Sequence, residues 1–251
     1  MDIRKTLAFY SCEYSGSWEM ISCALKNHLP VRECRIKDPY ITIFDDNYPD
    51  AFRKLRYPPW VLFYQGDLSL LAKPAASIVG SRDLTDYGFQ TTQSAAGILK
   101  KRFVLVSGLA RGADAAVHRC ALENGRTIGI IGSGLGVSYP PENSFLYAKI
   151  REEGLILSEY PHDTGVRRYH FPWRNRLIAA LGEFLVVTQA SEHSGTMLTV
   201  NEALYLSKDI YCFPYPFNDP FGKGCNKLIA EGAIPVYDML QLAEIMPAKH
   251  Q

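Results

Sequence analysis

From Ala75 onwards, short apolar runs alternate with longer stretches in which apolar residues recur at helical spacing. The apolar runs predict strands at 75–80, 103–108, 127–132, 155–160, 184–189, 209–214 and 233–237. The stretches between them predict helices at 87–101, 113–124, 142–153, 174–181, 196–207 and 226–231. Such an alternation is typical of a mostly parallel sheet covered by helices on both faces. We therefore predict a doubly wound, Rossmann-like α/β domain over residues 75–240.

The residues before Ala75 follow different patterns. Residues 1–38 have weak helical periodicity and predict a small helical appendage. Residues 39–74 are rich in proline and aromatic residues, which disfavour long helices, while the run from Val61 to Tyr64 favours a strand. We predict an extended segment that leads into the main domain and lies on it. Residues 241–251 are predicted to be a tail.

Composition limits the class of protein without identifying its function. The 251 residues are 47% hydrophobic and 21% charged, which is typical of a soluble globular chain. No apolar run approaches the ~20 residues that span a bilayer, so we expect a cytoplasmic protein with no membrane segment. The six cysteines form no C-x-x-C pair, and the sequence suggests neither a metal nor a cofactor. The net charge of +1 means that any claim of nucleic-acid binding must rest on local charge.

Four predicted strands run directly into polar loops that contain glycine, at 80–82, 107–114, 132–134 and 192–196. In a parallel sheet these loops share one edge, where glycine allows close backbone approach and helix N-termini offer free N–H groups. Together they predict an anion-binding rim suited to phosphate. The simpler alternative is that glycine and the N-cap residues only build turns. The candidate residues in these loops are Arg82, Ser107, Gly108, Arg111, Ser194, Gly195 and Thr196.

The segment RRYHFPWRNR at 167–176 combines four arginines with four aromatic or imidazole rings and contains no acid. Guanidinium groups pair with phosphate oxygens and aromatic faces stack on unpaired bases, so the segment favours single-stranded nucleic acid over a duplex. Alternatively, its arginines could pair with buried carboxylates and its aromatic rings could lie in the core. Lys223, at a later glycine turn, could reach a phosphate or simply be solvated. The candidates here are Arg168, Phe171, Arg174, Asn175, Arg176 and Lys223.

Taken in order, the motifs resemble those of the DNA-processing protein A (DprA/Smf) family. They are YPDAFRKLRYPPWVLFYQGD at 48–67, VGSR at 79–82, VSGLARGADAAVH at 106–118, IGSGLGVSYPPEN at 131–143, HFPWRNRLIAAL at 170–181, SGTMLTVNEAL at 194–204 and GCNKLIAEGA at 224–233. Two departures are the absence of Pro-Gly in YCFPYPF at 211–217 and of a Gly-Ile-Gly helix-hairpin-helix signature in the first forty residues.

The resemblance implies a non-catalytic protein that binds incoming single-stranded DNA in natural transformation and helps to load the RecA recombinase. It further implies a homodimer. Arg82 would bind a phosphate, with further contacts from Ser107 and Gly108. A basic, base-contacting wall would comprise Arg168, Phe171, Asn175 and Arg176, and a phosphate rim would comprise Ser194, Gly195 and Thr196.

Three other functions remain as alternatives. Related Rossmann-like folds include phosphoribohydrolases of the lysine-decarboxylase-like type, which use an arginine and a glutamate. Here the available glutamate, Glu202, follows Thr196 by six residues, nearly two helical turns. A dinucleotide-dependent oxidoreductase is disfavoured because GSGLG at 132–136 does not match G-x-G-x-x-G. A protein-binding scaffold would leave the glycine loops and the arginine cluster unexplained.

Overall fold

The computed structural model describes residues 2–248, and over that range its centre is a nine-stranded sheet. The strands are β1 (Tyr40–Thr42), β2 (Val61–Gly66), β3 (Ala75–Val79), β4 (Val104–Ser107), β5 (Thr127–Ile131), β6 (Leu155–Ser158), β7 (Leu185–Val187), β8 (Ile210–Cys212) and β9 (Ile234–Pro235). All seven strands predicted after Ala75 are present. Strands β3 to β7 form because each is a largely apolar run buried on both faces, as parallel strands require, whereas β9 at the edge of the sheet is only partly buried.

The strand order is β1-β2-β6-β5-β4-β3-β7-β8-β9. Strands β3 to β9 pair in parallel, whereas β2 is antiparallel to both β1 and β6. The chain adds β4, β5 and β6 on one side of β3 and then returns to place β7 on its other side. This reversal opens a crevice at the carboxyl ends of β3 and β7, where ligands of doubly wound folds bind. The predicted Rossmann-like α/β class is confirmed.

Helices cover both faces of the sheet. They are α1 (Ile3–Glu13), α2 (Trp18–Lys26), α3 (Asp50–Arg53), α4 (Asp86–Leu99), α5 (Ala113–Asn124), α6 (Ser144–Glu153), α7 (His170–Leu181), α8 (Thr196–Tyr205), α9 (Lys223–Ala230) and α10 (Met239–Ala243). Helix α7 begins four residues before the predicted start, and α9 begins three residues before it. Each predicted helix is present, and the differences are confined to helix ends.

The residues before Ala75 are more closely integrated than the sequence suggests. The segment 39–74 does not merely lie on the main domain, because β1 and β2 extend the sheet and β2 pairs with β6. Helices α1 and α2 form as predicted and share a buried cluster with this edge, in which Leu7 and Ile21 pack with Val61 and Phe63. The apolar faces of the two short helices are therefore buried against the sheet.

The predicted tail is partly helical, since residues 241–243 belong to α10; residues 249–251 of that tail lie outside the described part of the chain. Within residues 2–248, every helix falls short of the length and apolarity that crossing a bilayer requires.

Candidate nucleic-acid interface

A cleft of about 760 Å³ opens at the crevice between the carboxyl ends of β3 and β7. One wall is the β3–α4 loop, another is the start of α7 with the residues before it, and the third is the segment that leads into α8. Because the sheet reverses its order here, the three walls come from parts of the chain that are distant in sequence. The cleft has the position that the strand pattern predicts for a ligand.

Arg82 stands on the β3–α4 loop with its guanidinium exposed, and no carboxylate of residues 2–248 forms an ion pair with it. Its guanidinium carbon lies 5.6 Å from the centre of the Phe171 ring. Buried Gln189, two residues after β7, holds the loop: its side-chain oxygen accepts from the Thr85 amide at 3.0 Å, and its side-chain nitrogen donates to the Asp83 carbonyl at 2.9 Å. By holding this loop, the fully buried side chain of Gln189 positions the exposed guanidinium of Arg82. In the sequence, the only signal for this role of Gln189 is that a polar residue ends the otherwise apolar run FLVVTQ at 184–189.

Arg168 supplies a second exposed cation, from the residues that precede α7. Among the side chains that the structure describes, no acid pairs with it within salt-bridge distance. Phe171 and Asn175 follow on α7, one helical turn apart, and both line the cleft while half-buried. The cleft therefore carries two arginines whose charge the protein does not neutralise, beside an aromatic ring and an amide.

The N-terminus of α8 also opens into the cleft. The amides of Gly195 and Thr196 donate to no carbonyl within residues 2–248, apart from any bonds inside the helix itself. A Cβ added at Gly195 would have no atom within 4 Å, so this backbone faces open space. Thr196 Oγ1 donates to the Gly80 carbonyl at 3.0 Å and ties the helix start to β3. Free amides and the positive end of the helix dipole make this terminus suited to an anion.

The other glycine loops share the predicted edge but are closed by the protein itself. A Cβ at Gly108 would lie 2.1 Å from the guanidinium of Arg174, and one at Gly134 would lie 2.0 Å from the Pro161 carbonyl. The amide of Ala113, at the start of α5, donates to the Ser81 carbonyl at 3.0 Å. The predicted rim is thus narrower than expected, because these glycines make room for protein groups rather than for a ligand.

The placement of Ser107 and Arg174 corrects the prediction that they bind nucleic acid. Ser107 is fully buried and donates to the Ile78 carbonyl at 2.8 Å. Arg174 is 4% exposed, donates to the Gly108 carbonyl at 2.6 Å and to the Ile130 carbonyl, and lies near Asp114. Burial lowers the pKa of the arginine and raises that of the aspartate, while their mutual attraction opposes both shifts. Both residues hold loops in place at the base of the cleft, and Gly108 is covered by Arg174.

Arg176 requires the same correction. Its guanidinium, 4% exposed, binds both carboxylate oxygens of Glu159, at 2.5 and 2.6 Å. It also donates to the Tyr57 carbonyl, at 3.0 Å from Nη2. A buried arginine with its donors already used is not available to a phosphate. The alternative considered from the sequence, an arginine paired with a buried carboxylate, describes Arg176.

Two further predicted residues lie outside the cleft. Arg111 borders a neighbouring cavity of about 360 Å³ and lies 3.7 Å from a carboxylate oxygen of both Asp83 and Glu142. Lys223 lies 3.3 Å from Glu192. Their charges are partly balanced, so they are weaker candidates for phosphate binding than Arg82 and Arg168.

The acids near the cleft bear on the enzyme alternative. Glu202 does not line the cleft; it lies in the adjoining groove, with Tyr205. The acids that do line it are Asp114, which is buried beside Arg174, and Asp83. Within the described part of the chain, no three His, Cys, Asp or Glu side chains are grouped to hold a metal ion. The glutamate considered for a phosphoribohydrolase, Glu202, therefore faces the adjoining groove.

Comparison with known proteins agrees with this architecture. Residues 39–247 match the family model of DNA recombination-mediator protein A. DNA processing protein DprA of Streptococcus pneumoniae is 39% identical over 198 residues, which cover 78% of this chain and 70% of the relative. The corresponding protein of Bacillus subtilis is 37% identical over 213 residues, covering 84% and 72% respectively.

Two solved structures share the fold. The X-ray structure of DprA from Streptococcus pneumoniae gives a TM-score of 0.85 at 31% identity, covering 100% of both chains. A structure of DNA processing protein A from Helicobacter pylori, described for its single-stranded DNA binding mode, gives 0.74 at 32% identity, covering 82% of this chain and 94% of the other. The chain therefore belongs to the DNA recombination-mediator protein A family, the DprA/Smf family that its motifs resemble.

Proposed function

We propose that this protein binds single-stranded DNA through its backbone phosphates and does not catalyse a reaction on it. The observation that carries the proposal is the pair of exposed arginines, Arg82 and Arg168, which face one cleft without an acidic partner in residues 2–248. Loss of counterions from a phosphate chain favours binding at such a site even though the whole protein carries a net charge of only +1.

In the proposed complex, both backbone amides and side chains of the cleft contact the DNA. The free amides of Gly195 and Thr196 would receive one phosphate, and the two arginines would receive neighbouring phosphates. Phe171 and Asn175 would then meet a base, the ring by stacking and the amide by hydrogen bonding. Since the Phe171 ring is half-buried within the cleft, a base must leave its stack to reach it. This requirement favours a single strand over a duplex.

The names of the relatives support a place in DNA processing. We infer that the bound strand is DNA taken up in natural transformation, and that the protein works as a homodimer that passes the strand to RecA. Phe217 and Tyr237, which flank the β8–β9 side of the sheet, are strongly exposed in the single chain and are candidates for the dimer contact.

Fluorescence anisotropy with a labelled oligothymidine, repeated at two salt concentrations, tests the central proposal. We expect binding that weakens as salt rises, because phosphate contacts release counterions. Absent or salt-insensitive binding would refute it. Release of free base from a nucleoside monophosphate would instead establish the phosphoribohydrolase alternative. Light scattering of the protein with and without the oligonucleotide gives the oligomeric state.

A further inference from the structure

A second groove of about 490 Å³ adjoins the cleft, on the other side of Pro172, which lines both. It is lined by four aromatic side chains, Tyr57, Tyr169, Trp173 and Tyr205. Tyr169 and Tyr205 are 62% and 66% exposed, so their rings are accessible to a ligand. None of the proposed phosphate-binding residues of the cleft, Arg82, Arg168, Gly195 and Thr196, lines this groove.

The two depressions are continuous along the same pair of helices. On α8, Leu198 lines the cleft, whereas Glu202 and Tyr205, four and seven residues later on the same face, line the groove. On α7, Phe171 lines the cleft and Trp173 lines the groove. A ligand that lies in the cleft can therefore continue into the groove without leaving the surface.

Two of the rings form a preorganised surface. The rings of Tyr57 and Trp173 lie 5.4 Å apart at an interplanar angle of 35°. The guanidinium of Arg176 packs against Trp173, with its carbon 4.3 Å from the centre of the ring. The same guanidinium forms an ion pair with buried Glu159, which fixes its position. Because these groups are fixed by buried contacts, a base could stack here with little loss of side-chain entropy.

Besides its rings, the groove carries Glu202, Asn201 and one exposed cation, Arg56, whose guanidinium carbon lies 5.2 Å from the centre of the Tyr57 ring. Glu202 forms no ion pair within the described chain, and its carboxylate would repel a phosphate. The same carboxylate can accept a hydrogen bond from an exocyclic amino group, as acidic side chains do from cytosine N4. Asn201 beside it can both donate and accept. An aromatic wall with an acceptor at its edge is suited to a nucleobase that carries an amino group.

We propose that this aromatic groove is a base-binding subsite, which receives the nucleotides next to those whose phosphates lie in the cleft and prefers bases with an exocyclic amino group. The inference rests on the proposed binding of single-stranded DNA and deepens it. From Gly195 to Tyr205 the helix rises about 15 Å. Successive charges on one DNA strand are ~3.4 Å apart when the bases are stacked and further apart when they are unstacked, so at most about four additional nucleotides would cover that distance.

The test is the length dependence of binding, measured with oligodeoxycytidines from about 4 to 16 nucleotides, the range of site sizes found in single-strand binding domains. Tyr205→Ala is compared with Phe44→Ala, which removes a ring of similar exposure, 59% against 66%, that lies outside the cleft and the groove. We expect Tyr205→Ala to leave the shortest oligonucleotide unaffected and to weaken the longest at least fivefold, the equivalent of one stack of about 1 kcal/mol. Phe44→Ala should change neither.

Glu202→Gln tests the base preference separately. The wild-type protein should bind a long oligodeoxycytidine more tightly than an oligothymidine of equal length, and the variant should lose most of that difference because the neutral amide is a weaker acceptor. Equal effects of Tyr205→Ala at every length, or none at any length, would overturn the subsite while leaving the cleft intact. Failure of the wild-type protein to bind any oligonucleotide would instead refute the proposed function itself. Thermal midpoints of all variants verify that they are folded.

Discussion

The sharpest test of the cleft is the removal of its two free cations, one at a time. Arg82→Ala and Arg168→Ala each delete an exposed guanidinium that has no acidic partner in residues 2–248. Neither change breaks an ion pair or opens a cavity in the core. Each should therefore lower affinity for DNA while shifting the free energy of unfolding by no more than ~0.5 kcal/mol, as is usual for surface substitutions.

The size of the effect follows from the contact that is lost. A hydrogen bond to a charged group contributes ~1.5–3 kcal/mol, which corresponds to a weakening of roughly 10- to 150-fold at 1.4 kcal/mol per decade. Because both arginines are exposed and screened by solvent, we expect values near the lower limit, about tenfold for each. Salt dependence gives an independent measure. With ~0.7 units of slope per phosphate neutralised on a single strand, two arginines give a slope of about −1.4 for log K against log salt.

Each single variant should therefore halve the contribution of the two arginines to the slope of log K against log salt. Anisotropy titrations at several salt concentrations measure the affinity and the slope together, and thermal denaturation monitors folding. Arg119→Ala is the matched control, because Arg119 is exposed on α5, lies outside the cleft and has no ion-pair partner within the described chain. Phosphate binding by Arg82 and Arg168 is refuted if the two cleft variants retain the wild-type slope, or if Arg119→Ala reduces the slope equally.

Three further predictions concern the structure around the cleft. Gly108→Ala would bring a methyl group to 2.1 Å from the guanidinium of Arg174, so it should lower the free energy of unfolding, measured by urea titration, by ~1–3 kcal/mol. Gly195→Ala adds its methyl group to open space, so its free energy of unfolding should be within ~0.5 kcal/mol of the wild-type value. Glu159→Ala leaves a buried arginine unpaired and should cost ~3–5 kcal/mol, seen as a lower urea midpoint. Burial lowers the pKa of His118 from 6.5 to about 3, so as the pH falls the unfolded chain binds a proton before the folded protein does. The free energy of unfolding should therefore decrease below about pH 6.5, by up to ~1.4 kcal/mol per pH unit. His118→Gln should make the free energy of unfolding less dependent on pH in this range.

The sequence was informative where a residue type has one structural meaning. A continuous apolar run that ends at a glycine loop is typical of a buried parallel strand, so β3, β4 and β5 were predictable. The start of α7 was not, because Pro172 argues against helix when it is read alone. The structure places it in the first turn, where the missing N–H has no cost. The prediction therefore began the helix at residue 174, after the proline.

Glycine was the least informative signal. Gly108 and Gly195 both follow a strand and precede a helix, and in sequence both read as positions of close ligand approach. In the structure the first is filled by the guanidinium of Arg174, and the second faces open space. The difference depends on a side chain 66 residues away from Gly108. No local pattern can distinguish a glycine that makes room for the protein from one that makes room for a ligand.

The arginines of α7 show why charge alone misidentified part of the site. Because α7 begins at His170, residues four apart along this segment lie on the same face of the helix. Phe171 and Asn175 lie on the face that lines the cleft, whereas His170 and Arg174 lie on the buried face. Arg176 is buried as well, beneath the groove, so two of the four cations counted in the sequence are structural. Their hydrogen bonds fix α7 against β4, β5 and the chain before β2, and thereby hold Phe171 in place. Loss of either buried arginine would thus weaken DNA binding only by loosening the cleft, with a lower thermal midpoint that Arg82 or Arg168 variants would not show.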